Sequence, residues 1–342
     1  MRILTVTPAQ PRTTGNWVSA LRQQKGLEAL GHHVHIAEAG ESIQDLENET
    51  EDFVPDVVNV LHAYRCGRQW LACRQSDRIP LVVTLTGTDV NHGLANPEQG
   101  PTILTVLERA EAIITINALT TTELQRDYPG LASRLHHVPP ALDCGHAPHA
   151  LRHGLGIQRE CVLFLHPAGI RPVKANLELL EMFEPVAAAH SPCRLVFCGP
   201  ILDIDYGHRF LQGVKSRPWA RYAGEIPVIA MPAAMQEADV VLNNSVSEGF
   251  SNALHEAAWL GTPVLARNIP GNMVAFESGR QGLLYDTPHS FVQQAITLAR
   301  DPELRRRLSQ PKRRVRSLME EALQLEKIFL ALSMHCAVGP GF

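Results

Sequence analysis

Residues 239–264 read DVVLNNSVSEGFSNALHEAAWLGTPV, and this stretch decides the fold. It begins with an apolar run at 240–242, which is typical of a strand buried on both faces of a parallel sheet. Ser251 then has the residue type of a helix N-cap, and Gly261 that of a helix end. The stretch therefore predicts a buried strand, a turn and a helix, which is the repeating unit of α/β proteins.

The start of this predicted helix is suited to phosphate. Backbone N–H groups at a helix N-terminus lack partners within the helix and lie at the positive end of its dipole, so they bind anions. Here these amides belong to Gly249, Phe250 and Ser251. We expect them to contact a phosphate group.

Polar and apolar side chains fall on opposite faces of the same helix. Asn252 and Glu256 are four residues apart, and helical side chains lean back towards the N-terminus. The Glu256 carboxylate can therefore accept hydrogen bonds from ribose hydroxyls beside the phosphate. Glu248, in the preceding turn, is placed to reach a sugar ring. The residues of the other face are predicted to be core: Leu254, Ala257 and Ala258.

This segment resembles the E-x7-E motif of retaining glycosyltransferases of family 4, enzymes with the two-domain GT-B fold. Glu248 and Glu256 have the spacing of the motif, and a strand, a glycine turn and a helix accompany them. The resemblance implies transfer of a sugar from a nucleotide-diphosphate donor, with UDP-sugar expected, with retention, and with no metal ion or other cofactor. In the alternative interpretation, Glu248 is a solvated loop residue and Glu256 an exposed helix residue.

A second segment, HPAGIRPVK at 166–174, is basic and follows another predicted strand. A diphosphate leaving group must be neutralised as its bond to the sugar breaks. Family 4 enzymes carry an arginine and a lysine at this place, so the resemblance implies that Arg171 and Lys174 bind the donor phosphates. The alternative is a surface pair at the start of a helix.

Two loops of the first half are expected to face an acceptor. Ligands of open α/β sheets bind outside the carboxyl ends of the strands. Gly15 and Asn16 follow the first strand, and Asp89 ends the sequence TGTD after a later one. Asp89 is predicted either to hold or deprotonate an acceptor group, or to cap its loop through the backbone.

The chain of 342 residues is long for one core, so two domains are the default. Strands and helices alternate twice along it, which predicts two Rossmann-like domains. We assign an acceptor domain to 1–150 and a nucleotide-sugar donor domain to 151–310. Residues 311–334 have helical periodicity, and the GT-B resemblance implies that the segment 311–342 packs back on the first domain, with a cleft between the domains.

Eleven strands are predicted from apolar runs and turn residues. They lie at 3–7, 34–37, 57–63, 80–86, 112–117, 161–165, 195–198, 221–223, 239–243, 263–267 and 282–285.

Several other classes of protein are disfavoured. The chain has neither the G-x-G-x-x-G fingerprint of dehydrogenases nor a P-loop. A net charge of -4 argues against nucleic acid as a partner. No run reaches the ~18 apolar residues that span a bilayer. Because the chain opens directly on a strand, we expect a cytoplasmic protein without a leader.

Metal and disulfide chemistry are also not expected. Asp203-Ile204-Asp205 resembles a metal-binding D-x-D but is predicted to be a helix-capping loop. The histidines at 32, 33 and 35 alternate along a strand and so do not share one face. None of the seven cysteines forms a C-x-x-C pair, and we predict reduced, buried thiols.

Narrower resemblances leave the reaction open. Much of the chain resembles the glycosyltransferase 1 domain-containing proteins. Residues 7–9, 15–16, 86–89 and 269–272 also resemble selenosugar synthases, which join selenophosphate to UDP-N-acetylhexosamine. This resemblance implies that Arg12, Gly15 and Asn16 cradle the anion. A non-catalytic nucleotide-sugar binding protein and a UDP-sugar epimerase are further alternatives. The sequence identifies neither the acceptor nor the oligomeric state.

Overall fold

The computed structural model describes residues 1–143, 145–190, 192–311 and 314–337. The chain forms two compact units. Unit 1 comprises Met1–Asp143 and Arg316–Phe342, and unit 2 comprises Cys144–Val315. The α/β class predicted from the sequence is confirmed in both units.

Unit 1 contains a sheet of six parallel strands in the order β2-β1-β3-β4-β5-β6. Its strands are β1 (Arg2–Pro8), β2 (His33–Ala39), β3 (Val57–Leu61), β4 (Leu81–Leu85), β5 (Ala112–Thr115) and β6 (Leu135–His137).

Unit 2 contains a second parallel sheet of six strands, in the order β12-β11-β10-β7-β8-β9. Its strands are β7 (Val162–Pro167), β8 (Cys193–Cys198), β9 (Ala220–Tyr222), β10 (Val240–Asn243), β11 (Val264–Arg267) and β12 (Gly282–Tyr285).

In each sheet the strand order reverses at one point, between β1 and β3 in unit 1 and between β7 and β10 in unit 2. Loops on either side of such a switch point diverge and leave a crevice at the carboxyl ends of the strands. Both sheets therefore offer a place for a ligand.

Helices connect the strands and cover both faces of each sheet. Unit 1 has α1 (Gly15–Ala29), α2 (Ile43–Phe53), α3 (Arg68–Ala72), α4 (Gly100–Arg109), α5 (Ala118–Asp127) and, at the end of the chain, α14. Unit 2 has α6 (Leu151–Gly154), α7 (Asn176–Ala189), α8 (Ile204–Lys215), α9 (Met231–Gln236), α10 (Asn252–Leu260), α11 (Pro270–Met273), α12 (Pro288–Arg300) and α13 (Pro302–Leu308). The last helix, α14, is Leu318–Ala337.

All eleven predicted strands are present, with ends that differ by a few residues. One strand was not predicted, the short edge strand β6. The segment of β6 is followed by Val138-Pro139-Pro140, and prolines mark loops, which hid a strand of three residues.

The predicted start of the last helix is wrong. Residues 314–317 are not helical, and α14 begins at Leu318. Ser317 and Glu320 form a capping box, in which the Glu320 N–H donates to Ser317 Oγ at 3.2 Å and the Ser317 N–H to Glu320 Oε2 at 2.8 Å. This exchange of hydrogen bonds fixes the helix start.

Asp203, His32 and the cysteines, for which no metal or disulfide chemistry was expected, have structural positions. Asp203 caps α8 by accepting from the Tyr206 N–H at 2.8 Å. His32 is buried against Glu326, at 2.9 Å. The five cysteines whose side chains are described are free and buried; Cys144 and the side chain of Cys336 lie outside the described residues. Among the residues described, no group of three side chains could hold a metal ion, and no helix could cross a membrane.

The helix α14 packs against α1 and so closes one face of the unit 1 sheet. Leu325 and Phe329 are fully buried beside Ile3 of β1. The two helices approach so closely at Gly26 that a Cβ there would lie 2.9 Å from the Cβ of Ala322. Glycine at this position therefore sets the distance between the helices.

A buried ion pair accompanies this contact. The Arg22 guanidinium of α1 donates to both carboxylate oxygens of Glu321, at 2.8 and 3.2 Å, and the side chains are only 5% and 3% exposed. Glu321 also accepts the Ala141 N–H at 2.8 Å. The end of the chain is thus joined both to α1 and to the segment that leaves unit 1.

We predict that Glu321→Gln destabilises unit 1 by about 3–5 kcal/mol, because it leaves the Arg22 charge buried without a partner. The measurement is urea unfolding. Asp143→Asn is the control, since the exposed pair of Asp143 with Lys25 should contribute about 1 kcal/mol or less. Equal losses in the two variants would contradict the role of burial.

Candidate donor site

The candidate site lies in unit 2 at the switch point between β7 and β10. The loop after β7 carries Arg171 and Lys174, and the loop after β10 carries Glu248. The Val246 N–H donates to the carbonyl of Val173 at 3.0 Å and so joins the two loops. Residues far apart in sequence thereby meet at one edge of the sheet.

Glu248 is held by three side chains, all of which donate to its Oε1. The donors are Lys174 Nζ at 2.5 Å, Ser245 Oγ at 2.7 Å and Asn243 Nδ2 at 3.2 Å. The Lys174 and Glu248 side chains are 15% and 13% exposed. Glu248 is therefore not a solvated loop residue, and that alternative interpretation is wrong.

The charge state of Glu248 follows from these contacts. Burial acts to raise the pKa of its carboxyl, but the positive charge of Lys174 and the hydrogen bonds from Lys174, Ser245 and Asn243 outweigh it, so the pKa is lower than usual. The carboxylate is charged at neutral pH and needs the lysine beside it.

Asn243, the last residue of β10, organises the loop that follows. Its amide nitrogen donates to Ser251 Oγ at 3.0 Å, and its carbonyl oxygen accepts from the Ser245 N–H at 2.9 Å and from Asn272 at 3.3 Å. Ser251 occupies the N-cap of α10, as predicted, but its hydroxyl accepts no helix N–H. The helix therefore begins directly after Ser251, although the side chain of Ser251 does not cap it.

The helix α10 matches the sequence prediction in its two faces. Leu254, Ala257 and Ala258 are fully buried, and Gly261 ends the helix with a φ of 76°. Glu256 is half-buried, so it is not the exposed helix residue of the alternative interpretation.

The backbone before α10 is tightly packed. The Ser251 N–H donates to the carbonyl of Gly271 at 3.2 Å, so this amide already has an acceptor in the protein. A Cβ on Gly271 would lie 2.3 Å from the Glu248 carbonyl oxygen. Only glycine at 271 therefore allows the turn after β11 to approach Glu248.

A second asparagine, Asn244, supports the loop of Lys174. Its amide nitrogen donates to the carbonyl of Ala175 at 2.8 Å, and its carbonyl oxygen accepts from Arg267 at 3.0 Å and from the Tyr285 hydroxyl at 2.5 Å. Ala175 has a φ of 49°, a conformation that costs free energy for any residue with a Cβ. The Asn244 hydrogen bond holds this turn, which directly follows Lys174.

Arg171 is three residues before Lys174 in the same loop. Its backbone N–H donates to Asn176 Oδ1 at 3.2 Å, which ties the loop to the first residue of α7, and its side chain is half-buried. The two predicted cations are thus carried by one ordered turn.

His166 lies within the sheet below these loops. It is fully buried, and its Nε2 accepts the Asn244 N–H at 3.5 Å. Burial first, and the charge of Lys174 second, lower the pKa of His166 to about 3. The ring is therefore neutral at ordinary pH. Lys174, and not His166, supplies the positive charge beside Glu248.

The predicted acceptor residues belong to unit 1. Gly15 and Asn16 are the first residues of α1. Asp89 is fully buried and accepts from the N–H groups of Ala63, Thr86 and Gly87, at 2.8 to 3.3 Å. This contact pattern is the backbone cap that the sequence analysis gave as one of two roles for Asp89.

Four residues of the site were not predicted from the sequence: Asn243, Asn244, Ser245 and His166. A signal for three of them was present, because polar residues that directly follow a buried apolar strand mark the carboxyl end where ligands bind. No comparable signal marks His166, which lies inside an apolar strand.

Lys174→Met should destabilise unit 2 by about 3–5 kcal/mol, because it leaves Glu248 charged and buried without its cation. Adding Glu248→Gln to this variant should restore part of the loss, since no charge then remains. Urea unfolding of the wild type, Lys174→Met and the double variant measures this. A double variant no more stable than Lys174→Met would show that the charge is not the cause.

The buried His166 predicts a dependence of stability on pH. Below its ordinary value of 6.5 the unfolded chain binds a proton, whereas the folded chain does so only near pH 3. Stability should therefore fall by up to about 1.4 kcal/mol per pH unit as the pH decreases through this window. His166→Leu should remove this contribution in urea unfolding from pH 7 to 4. The exposed His208→Leu is the control, and equal slopes in all three proteins would refute the assignment.

Comparison with known proteins places the chain in a family. The family described as Glycosyl transferases group 1 matches residues 150–315, which include every residue of the candidate site. A relative from Xenopus tropicalis, glycosyltransferase 1 domain-containing protein 1, is 30% identical over 316 residues, which cover 89% of this chain and 90% of the relative.

Solved structures with low sequence identity share the fold. The HepE protein of Anabaena, in complex with UDP and glucose, has a TM-score of 0.72 at 16% identity, and 98% of each chain is covered. The sucrose-phosphate synthase of Thermosynechococcus elongatus has a TM-score of 0.73 at 15% identity, again with 98% coverage of each chain. The predicted GT-B fold is confirmed. The chain belongs to the group 1 family of glycosyl transferases.

Proposed function

We propose that this protein transfers a sugar from a nucleotide-diphosphate sugar, with UDP as the expected nucleotide, to an acceptor. The observation that carries the proposal is the Lys174–Glu248 pair at the switch point of unit 2, beside the start of α10. Unit 2 would bind the donor and unit 1 the acceptor. The E-x7-E resemblance supports membership of family 4, retention of configuration and a reaction without a metal ion.

The roles of the donor residues follow from their positions. Arg171 and Lys174 would neutralise the diphosphate, with the amides of Gly249 and Phe250 at the helix start. Glu256 and Asn252, on one face of α10, would contact the ribose. These roles need side chains or amides that point to the carboxyl edge of the sheet.

Glu248 and Lys174 would act as a unit. The lysine keeps Glu248 charged, so the carboxylate can accept hydrogen bonds from sugar hydroxyls. When a diphosphate arrives, Lys174 would lie between two anionic groups. The lysine then links recognition of the sugar to recognition of its leaving group.

Two further observations support a nucleotide-sugar donor. The Xenopus relative covers nearly the whole chain and is named as a glycosyltransferase 1 domain-containing protein. The HepE structure with the same fold holds UDP and glucose. A binding protein or an epimerase on this fold is distinguished by nucleotide release, which only a transferase couples to an added acceptor.

Glu256→Gln should weaken nucleotide binding while the fold stays intact, because the ribose loses a charged acceptor. A ligand that binds only the native protein raises its melting temperature. We therefore expect one of UDP, GDP or ADP, or its sugar conjugates, to raise the Tm of the wild type, and the shift to be reduced in Glu256→Gln.

The matched control is Glu181→Gln, which changes an exposed glutamate of α7 in the same unit. It should retain the full shift. A shift in Glu256→Gln equal to that of the wild type would refute the ribose contact, and no shift with any nucleotide would refute the donor site.

A further inference from the structure

Unit 1 has an unusual arrangement at its own switch point. Two turns of π-helix, Ala63–Gly67 and Asp89–Gly93, follow the carboxyl ends of the neighbouring strands β3 and β4. Such turns are rare and are frequent at functional sites. The loop between β1 and α1 lies at the same edge, because β1 is the other neighbour of β3.

His62, directly before the first π turn, has a strained backbone. Its φ of 98° and ψ of 107° are unfavourable for a residue with a Cβ, and its side chain is 5% exposed. Its ring contacts the Arg65 N–H, the Thr88 hydroxyl and, 3.9 Å from Nδ1, the carboxylate of Asp89. Nδ1 accepts the Arg65 N–H at 3.2 Å, so the ring proton is on Nε2, which lies 3.0 Å from Thr88 Oγ1.

This tautomer determines the direction of the Thr88 hydroxyl. Because His62 Nε2 donates to Oγ1, the hydroxyl proton must point to another acceptor. Within the described residues, the Thr88 side chain forms no other hydrogen bond, and it is only half-buried. Thr88 thus offers a donor at the carboxyl edge of the sheet.

Asp89 holds the two loops together around this donor. Its carboxylate accepts from the Ala63 N–H of the β3 loop and from the Gly87 N–H of the β4 loop. It is fully buried, so it organises the loops and presents no charge to a ligand.

The surrounding loops are positively charged. Residues 9–14, 62–67 and 86–93 contain two arginines, Arg12 and Arg65, and one carboxylate, the buried Asp89. Neither arginine forms an ion pair with any described residue, and Arg12 stacks on Trp17 at 4.6 Å. An anionic group is the ligand that matches two such cations and a hydroxyl donor.

We propose that Thr88, oriented by His62, donates a hydrogen bond to an anionic group, a phosphate or a carboxylate, on the acceptor. Thr88 contacts the acceptor, and His62 is a positioning residue. The proposal rests on the proposed function, since it assigns the acceptor to unit 1, and it makes the acceptor an anionic molecule.

The experiment is calorimetric titration of the full chain with inorganic phosphate, with UDP present to occupy the donor site. Thr88→Val should weaken phosphate binding about tenfold, because a hydrogen bond to a charged group is lost. Thr88→Ser, which keeps the hydroxyl, should bind as the wild type does. Thr122→Val, which changes an exposed threonine of α5, is the matched control.

His62 is tested by rescue. His62→Phe should weaken phosphate binding as Thr88→Val does. His62→Gln, whose amide can donate to Thr88, should restore binding. In the double variant His62→Phe with Thr88→Val the losses should not add. UDP affinity should be unchanged in all of them, which a general loss of structure would not allow.

Phosphate binding that is equal in Thr88→Val and the wild type, or absent from both, would overturn the proposal. If His62→Phe does not fold, the Thr88 variants decide alone. UDP titration reports separately on the donor site. If UDP fails to bind, the proposed function fails, while the comparison of Thr88 variants, repeated without UDP, still tests the anion site.

Discussion

The candidate donor site depends on one electrostatic constraint: a buried carboxylate must have a cation beside it. Glu248 and Lys174 belong to loops 74 residues apart, and their contact requires β7 and β10 to be neighbours. Asn243, Asn244 and Gly271 can all be understood as supports of this pair. They shape the two loops, hold the turn at Ala175 and allow the next loop to come close.

The buried carboxylates at the two switch points are held by different kinds of hydrogen-bond donor. In unit 2 a lysine and neutral side chains hold Glu248, which remains close to the edge of the sheet. In unit 1 backbone N–H groups hold Asp89, which is entirely enclosed. A carboxylate held by side chains near the edge of the sheet suits contact with ligands, whereas an enclosed one held by backbone amides suits the construction of loops. This difference is the reason to place acceptor binding on Thr88 and not on Asp89.

Sequence patterns predicted the elements well but only part of the site. Buried parallel strands are apolar runs, so β10 and its helix were evident, and the spacing of Asn252 and Glu256 predicted the polar face of that helix. The contact of Lys174 with Glu248 was not evident, because it depends on strand order, which local periodicity does not encode. His62 was missed for a similar reason: its strained backbone and its partner Thr88 result from the packing of two loops.

The position of α14 has a consequence for biosynthesis. Unit 2 is continuous in sequence, whereas unit 1 needs both the first 143 residues and the helix at the end of the chain. During translation, Arg22 is made almost three hundred residues before Glu321, its partner. Domains fold as units while the chain emerges. Unit 2 can therefore complete its core on the ribosome first, and the amino-terminal sheet must wait, with the surface of Ile3 and Leu27 uncovered, until the last helix leaves the exit tunnel.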